Sequence, residues 1–145
     1  MTDSVARQGW DIDLKDGLAA EAEFTKAVSL ARVEHKMDEK AAKTGNIAIE
    51  IRQGSTERGA GKPSGICVTE AECWAQRVAP DKWLLIRTSL LKNIVRAVKG
   101  VRGSVMAGDG KRFENVLVPL EVAYAANWMT ALRRWQHEHG KVRAA

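Results

Sequence analysis

Residues 31–52 read ARVEHKMDEKAAKTGNIAIEIR, and the fold turns on how this stretch is read. From Arg32 the pattern has period two. Val33, His35 and Met37 share one side of an extended chain, while Glu34, Lys36 and Asp38 share the other. Asn46 to Arg52 repeats the period, with Ile47, Ile49 and Ile51 on one face and Glu50 and Arg52 opposite. The polar segment EKAAKTG between them is short and ends in glycine. The two strands are therefore predicted to form a β-hairpin that brings Glu50 opposite Glu34, Lys36 and Asp38.

Working outward, Asp16 is placed to cap a helix from Gly17 to Ala31, where Leu18, Phe24, Ala27, Val28 and Ala31 recur at helical spacing and Glu21 borders the apolar face. After the hairpin, QGSTERGAGKPSG (53–65) reads as a surface loop, and Ile66 to Val68 as a short third strand. Thr69 followed by Glu72 is a capping box, which predicts a helix through Val78 that Pro80 stops. Trp83 to Arg87 reads as a buried strand. Ser89 can cap a helix from Leu90 to Lys99, with Leu90, Leu91, Ile94, Val95 and Val98 inward and Lys92, Arg96 and Lys99 outward. Val105 with Met106, and Val116 to Val118, flank the turn-rich AGDGKRFEN and predict a second hairpin. A last helix starts near Pro119 and carries Val122, Ala125, Ala126, Met129 and Leu132.

The chain of 145 residues suits one domain (1–90 as a core, 91–145 as a basic helix, hairpin and C-terminal helix) and can bury a core without disulfides. It opens MTDSVARQGWDIDL, without a basic segment followed by an apolar run, and holds no apolar stretch of membrane-spanning length. A cytoplasmic protein with no membrane partner is expected. Cys67 and Cys73 lack the neighbouring Cys or His that a structural zinc site needs, so they read as reduced, structural thiols. The net charge is +5, and the basic excess lies after residue 82 whereas most acids precede it. An acidic part joined to a basic surface suits a protein that acts on a polyanion.

The chemistry rests on where several acids fall relative to one lysine. Carboxylates packed together raise one another's pKa and resist burial unless a cation intervenes. Their hard oxygens suit Mg²⁺, with Mn²⁺ as a substitute, and Mg²⁺ keeps waters that can serve as nucleophiles. Lys36 would orient or help deprotonate such a water. The competing reading is a solvated strand face laced by cross-strand ion pairs, since E-x-K is a common tripeptide.

The order D-x-D-L-x-x-G-x-x-x-E (11–21), V-E-x-K-x-D (33–38), T-G-N-I-A-I-E (44–50) and G-K-P-S-G-I-x-x-T-x-A-x-x-W (61–74) resembles small phage and prophage nucleases of the PD-(D/E)XK superfamily. The resemblance implies a mixed α/β (α+β) chain with a restriction-endonuclease-like core: helix, β-hairpin, strand, helix and strand, followed here by further C-terminal helices. It implies a Mg²⁺- or Mn²⁺-dependent deoxyribonuclease, with endo- or exonucleolytic action left open. Glu34, Lys36 and Glu50 would be catalytic, and Glu21, Glu34, Asp38 and Glu50 the metal ligands. The usual order places an Asp before E-x-K, whereas here the E-x-K comes first and Glu50 follows within E-I-R. Either Asp38 or Glu34 takes the Asp position. Arg52 cannot be deprotonated, which leaves Lys36 as the catalytic base candidate.

DNA is the expected partner. Lys62, Ser64 and Gly65 offer a positive charge, a hydroxyl and backbone amides to a phosphate, against the plain reading of a Pro-Ser-Gly turn. Lys92, Arg96, Lys99, Arg102, Lys111 and Arg112 form a candidate track for the DNA backbone, against the plain reading of a solvated face. Trp74 reads as core before base platform. Two other classes stay open: a nucleic-acid-binding or host-takeover module on the same fold that does not cut, and an interaction protein that homodimerises through the C-terminal helix bearing Trp128 and Trp135.

Overall fold

The computed structural model describes residues 3–54, 61–108, 110 and 112–140, with side chains described from Lys15 onward apart from Val28 and Leu30. The chain divides into two units, Met1–Arg32 and Val33–Ala145. The first is one helix, α1 (Asp3–Leu30). Asp16 lies inside it and does not cap it, because the helix already begins at Asp3. Leu18 and Phe24, expected to face a core, are 57% and 58% exposed.

The second unit is mixed α/β. In chain order it contains β1 (Val33–Met37), α2 (Ala41–Thr44), β2 (Asn46–Gln53), β3 (Lys62–Pro63), a 3-10 turn (Gly65–Cys67), β4 (Cys73–Ala79) and β5 (Lys82–Arg87). There follow α3 (Thr88–Arg102), β6 (Val105–Ala107), β7 (Phe113–Pro119), α4 (Leu120–Ala123) and α5 (Trp128–Gly140). One sheet has the order β1-β4-β5 and the other β3-β2-β7-β6.

The predicted β1–β2 hairpin does not form. β1 and β2 belong to different sheets: β1 runs parallel to β4, with Glu34 beside Trp74 and Lys36 beside Gln76, and β2 pairs antiparallel with β7. EKAAKTG is the reason, because it coils into α2 with Ala41 fully buried. Gly45 ends that turn at φ 70°, a left-handed conformation that glycine adopts without steric cost. The chain thereby leaves β1 in a direction that a two-strand turn would not give. The expected third strand at Ile66 to Val68 is instead the 3-10 turn, which buries Ile66.

The expected helix from Thr69 to Val78 is also replaced, by β4. Trp74, Gln76 and Val78 are buried at alternate positions, and pairing with β1 on one side and β5 on the other satisfies both edges of the strand. Burying Trp74 and Val78 between two partners outweighs the helical propensity of Ala, Gln and Arg. The Thr69 hydroxyl accepts from Ala71 N at 3.2 Å and so makes a local turn, and Pro80 follows the end of β4.

β5, α3 and the β6–β7 hairpin occur where the sequence places them, with α3 extended to Thr88 and Arg102, but β5 is not the buried strand expected: it buries only Leu84 and Ile86, because one face of its sheet is open. Leu91, Ile94, Val95 and Val98 are buried as expected, whereas Leu90 is 40% exposed. The last helix is split: α4 ends before Tyr124 and α5 begins at Trp128, with Val122 and Leu132 buried and Met129 exposed. Ile47, Ile49 and Ile51 of β2, Trp74 and Val78 of β4, Leu84 and Ile86 of β5, the inner face of α3, and Val116 and Val118 of β7 form a single apolar cluster. Each fully buried Ile or Leu contributes about 1.5–3 kcal/mol relative to an exposed one. No helix among the described residues is long and apolar enough to cross a membrane.

Candidate functional site

β1 presents Glu34 and Lys36 on the same side, as its period of two requires. Lys36 Nζ lies 2.7 Å from Glu34 Oε1, and the ammonium also stands 5.7 Å from the centre of the Trp74 ring on the neighbouring strand. The other Glu34 oxygen accepts from the Thr69 hydroxyl at 3.3 Å. The Lys36 hydrogen bond holds the Glu34 carboxyl below its usual range. Partial burial works the other way, and the Lys36 charge and the Thr69 hydroxyl reinforce the lowering. Both partners of the ion pair are about a third or more exposed, with side-chain values of 43% and 34%, so its own contribution to stability is about 1 kcal/mol at most.

Glu50 belongs to β2, in the other sheet. It is half-buried on the β2 face opposite the isoleucines, and Gly65 is pressed against it. A Cβ at Gly65 would stand 2.3 Å from the Glu50 carbonyl oxygen and 2.9 Å from Glu50 Cβ, so only glycine fits there. Thr69 N donates to Gly65 O at 3.1 Å. One turn, residues 65–69, thus touches Glu50 at its start and Glu34 at its end. What sequence reading missed is the role of Thr69, read there as a helix cap. Thr69 lies 35 positions from Glu34, a contact that local periodicity cannot show.

Asp38 is engaged with backbone amides. Asp38 accepts from Ala48 N at 2.9 Å with one oxygen and from Lys40 N at 3.0 Å with the other, so it joins the end of β1 to the edge of β2. Glu21 is exposed on α1, in the N-terminal unit. Arg52 donates to Gly61 O at 2.7 Å and lies 4.0 Å from Glu114. Among the described residues no group of three or more His, Cys, Asp or Glu converges as a metal site.

Lys62 is exposed at the end of the sheet. Ser64 is buried with its Oγ lacking a hydrogen-bond partner, and Ser64 N donates to Ile51 O at 3.0 Å. Lys92, Arg96 and Lys99 line one side of α3, with Lys99 Nζ 3.8 Å from Glu114. Arg112 is exposed, and Lys111 lies outside the described residues. Arg102 leaves the track: it donates to Asn46 Oδ1 at 2.7 Å and Leu117 O at 2.9 Å and stacks 4.8 Å from the Trp135 ring. His35 is exposed on the outer face of β1, not in a core. Trp74 is 1% exposed and donates to buried Gln76 Oε1 at 2.9 Å, so it is a core residue.

No family model, no curated protein and no solved structure matches this chain.

Proposed function

We propose that this chain is a Mg²⁺- or Mn²⁺-dependent nuclease that hydrolyses phosphodiester bonds in DNA, with β1 as its catalytic strand. The observation that carries this reading is the 2.7 Å contact between Glu34 and Lys36, set against a turn that also holds Glu50. Glu34 and Glu50 would hold the ion, and Glu34 also keeps Lys36 in place. The Thr69 hydroxyl fixes the second Glu34 oxygen and with it the carboxylate plane. Lys36 has three N–H donors, of which Glu34 occupies one, so the others are available to a scissile phosphate or to an attacking water. A divalent ion bound there would supply Lewis-acid stabilisation of charge on the phosphate. Lys62, Arg96 and Arg112, all exposed, would add phosphate contacts.

The test is incubation of wild-type and Lys36→Ala protein with linear, nicked, branched and single-stranded DNA in Mg²⁺, Mn²⁺ or EDTA. Wild type should cut only with metal, and Lys36→Ala should cut on the order of 100-fold more slowly while still binding DNA. Equal cleavage by both proteins would dismiss this site. A second reading, a DNA-binding module that does not cut, is favoured by the lack of a three-acid group among the described residues. It predicts DNA binding with no cleavage in any metal.

A further inference from the structure

We infer that the outer face of the β1-β4-β5 sheet is a docking surface for single-stranded nucleic acid. The strand registers arrange nine side chains on this face in three rows: Met37, Arg77 and Trp83; His35, Ala75 and Leu85; Val33, Cys73 and Arg87. The alternating burial of β4 and β5 fixes which face this is, since Trp74, Gln76, Leu84 and Ile86 turn inward. Met37, Trp83 and Leu85 are 62%, 48% and 40% exposed, an unusual outlay of large apolar side chains on a sheet.

The make-up of the face selects the partner. Ala75 is small, and above it the His35 and Trp83 rings meet edge to face with centroids 6.4 Å apart, although a strand lies between theirs. Two ring systems on an exposed sheet face can stack with bases, which have apolar faces whatever their sequence. Arginines flank the rings along β4 and at the end of β5. Arg77 is held in place by two donations to Pro80 O, at 3.2 and 2.9 Å, and Arg87 is exposed. None of the nine positions is acidic; of the acids that adjoin them in sequence, Glu34 lies on the opposite face of β1 with Lys36, Asp38 accepts from Ala48 N of β2, and Glu72 precedes β4. A purely apolar partner would leave the two guanidinium groups without counter-charge, whereas a phosphate backbone supplies it. A duplex hides its base faces, and only a single strand offers bases and phosphates together. This surface lies on the sheet face opposite Glu34 and Lys36, so it stands or falls apart from the proposed cleavage site.

The experiment is fluorescence polarisation of labelled oligo-dT and oligo-rU, with a hairpin duplex for comparison. It is run in EDTA on wild type, Trp83→Ala, Trp83→Phe and Arg87→Glu, each also with Lys36→Ala, so that cleavage plays no part. Either single strand should bind more tightly than the duplex. Trp83→Ala should weaken binding roughly five-fold or more, which is the loss of one stacked base, and Trp83→Phe should weaken it less. Arg87→Glu should weaken binding and flatten its salt dependence. The oligo-dT and oligo-rU arms decide between DNA and RNA. Wild-type affinity in both Trp83→Ala and Arg87→Glu, or a wild-type preference for the duplex, would overturn the inference. So would a wild-type dimer on sedimentation that Trp83→Ala dissociates, because a second copy would then cover the face.

Discussion

Asp38 and Ala48 are joined across the gap between the two sheets: the last acid of the β1 face accepts the Ala48 amide of β2 at 2.9 Å. The contact stands where a hairpin would have put a ladder of backbone bonds. One carboxylate therefore ties β1, and the Glu34–Lys36 pair on it, to the strand that carries Glu50.

This tie predicts a stability effect for Asp38. Asp38→Ala removes acceptors from two backbone amides, those of Lys40 and Ala48, and should destabilise the fold by on the order of 1–3 kcal/mol. Urea denaturation checks this. If Asp38 were instead a metal ligand, the variant would lose Mg²⁺ affinity in calorimetry with its unfolding midpoint in metal-free buffer unchanged.

Glu34 gives a pH dependence whose sign is fixed by the direction of its shift. Its carboxyl is held below the ordinary value of 4.5, with Lys36 as the first cause. A carboxyl lowered in the folded state contributes stability above its unfolded value, and that contribution disappears as pH falls through the folded one. Wild type should therefore exceed Glu34→Gln in stability near neutral pH, by about 1 kcal/mol at most for so exposed a pair. The difference should close in acid. In a side-chain NMR titration Lys36→Met should raise the Glu34 midpoint, and an unchanged midpoint would remove Lys36 as the cause.

Gly65 predicts a larger loss. It has φ +54°, and an added Cβ would meet the Glu50 backbone at 2.3 Å. Gly65→Ala combines left-handed strain with a clash against backbone, which cannot rotate away as a side chain can, and should cost on the order of 2–4 kcal/mol. Equilibrium unfolding measures it, and a loss below about 0.5 kcal/mol, the scale of an ordinary surface substitution, would show that Glu50 is not held by this turn.

The sequence by itself determined the elements whose signal is local. Alternation in Val33 to Met37 and Asn46 to Arg52 gives β1 and β2, the spacing of Leu91, Ile94, Val95 and Val98 gives α3, and AGDGKRFEN between apolar runs gives the β6–β7 hairpin. It also put Glu34 and Lys36 on one side of one strand, because residues two apart on a strand must share a face. Only the tertiary structure decided which strands meet. Residues 73–79 follow the capping signal of Thr69 and Glu72 and include helix-forming residues, yet they become the central strand of their sheet, since burial of Trp74 and Val78 and two strand partners outweigh local propensity. Likewise the meeting of Glu34 with Thr69, and of Glu50 with Gly65, depends on chain segments brought together by burial of the shared apolar core, and such long-range pairings leave no periodic trace in the sequence.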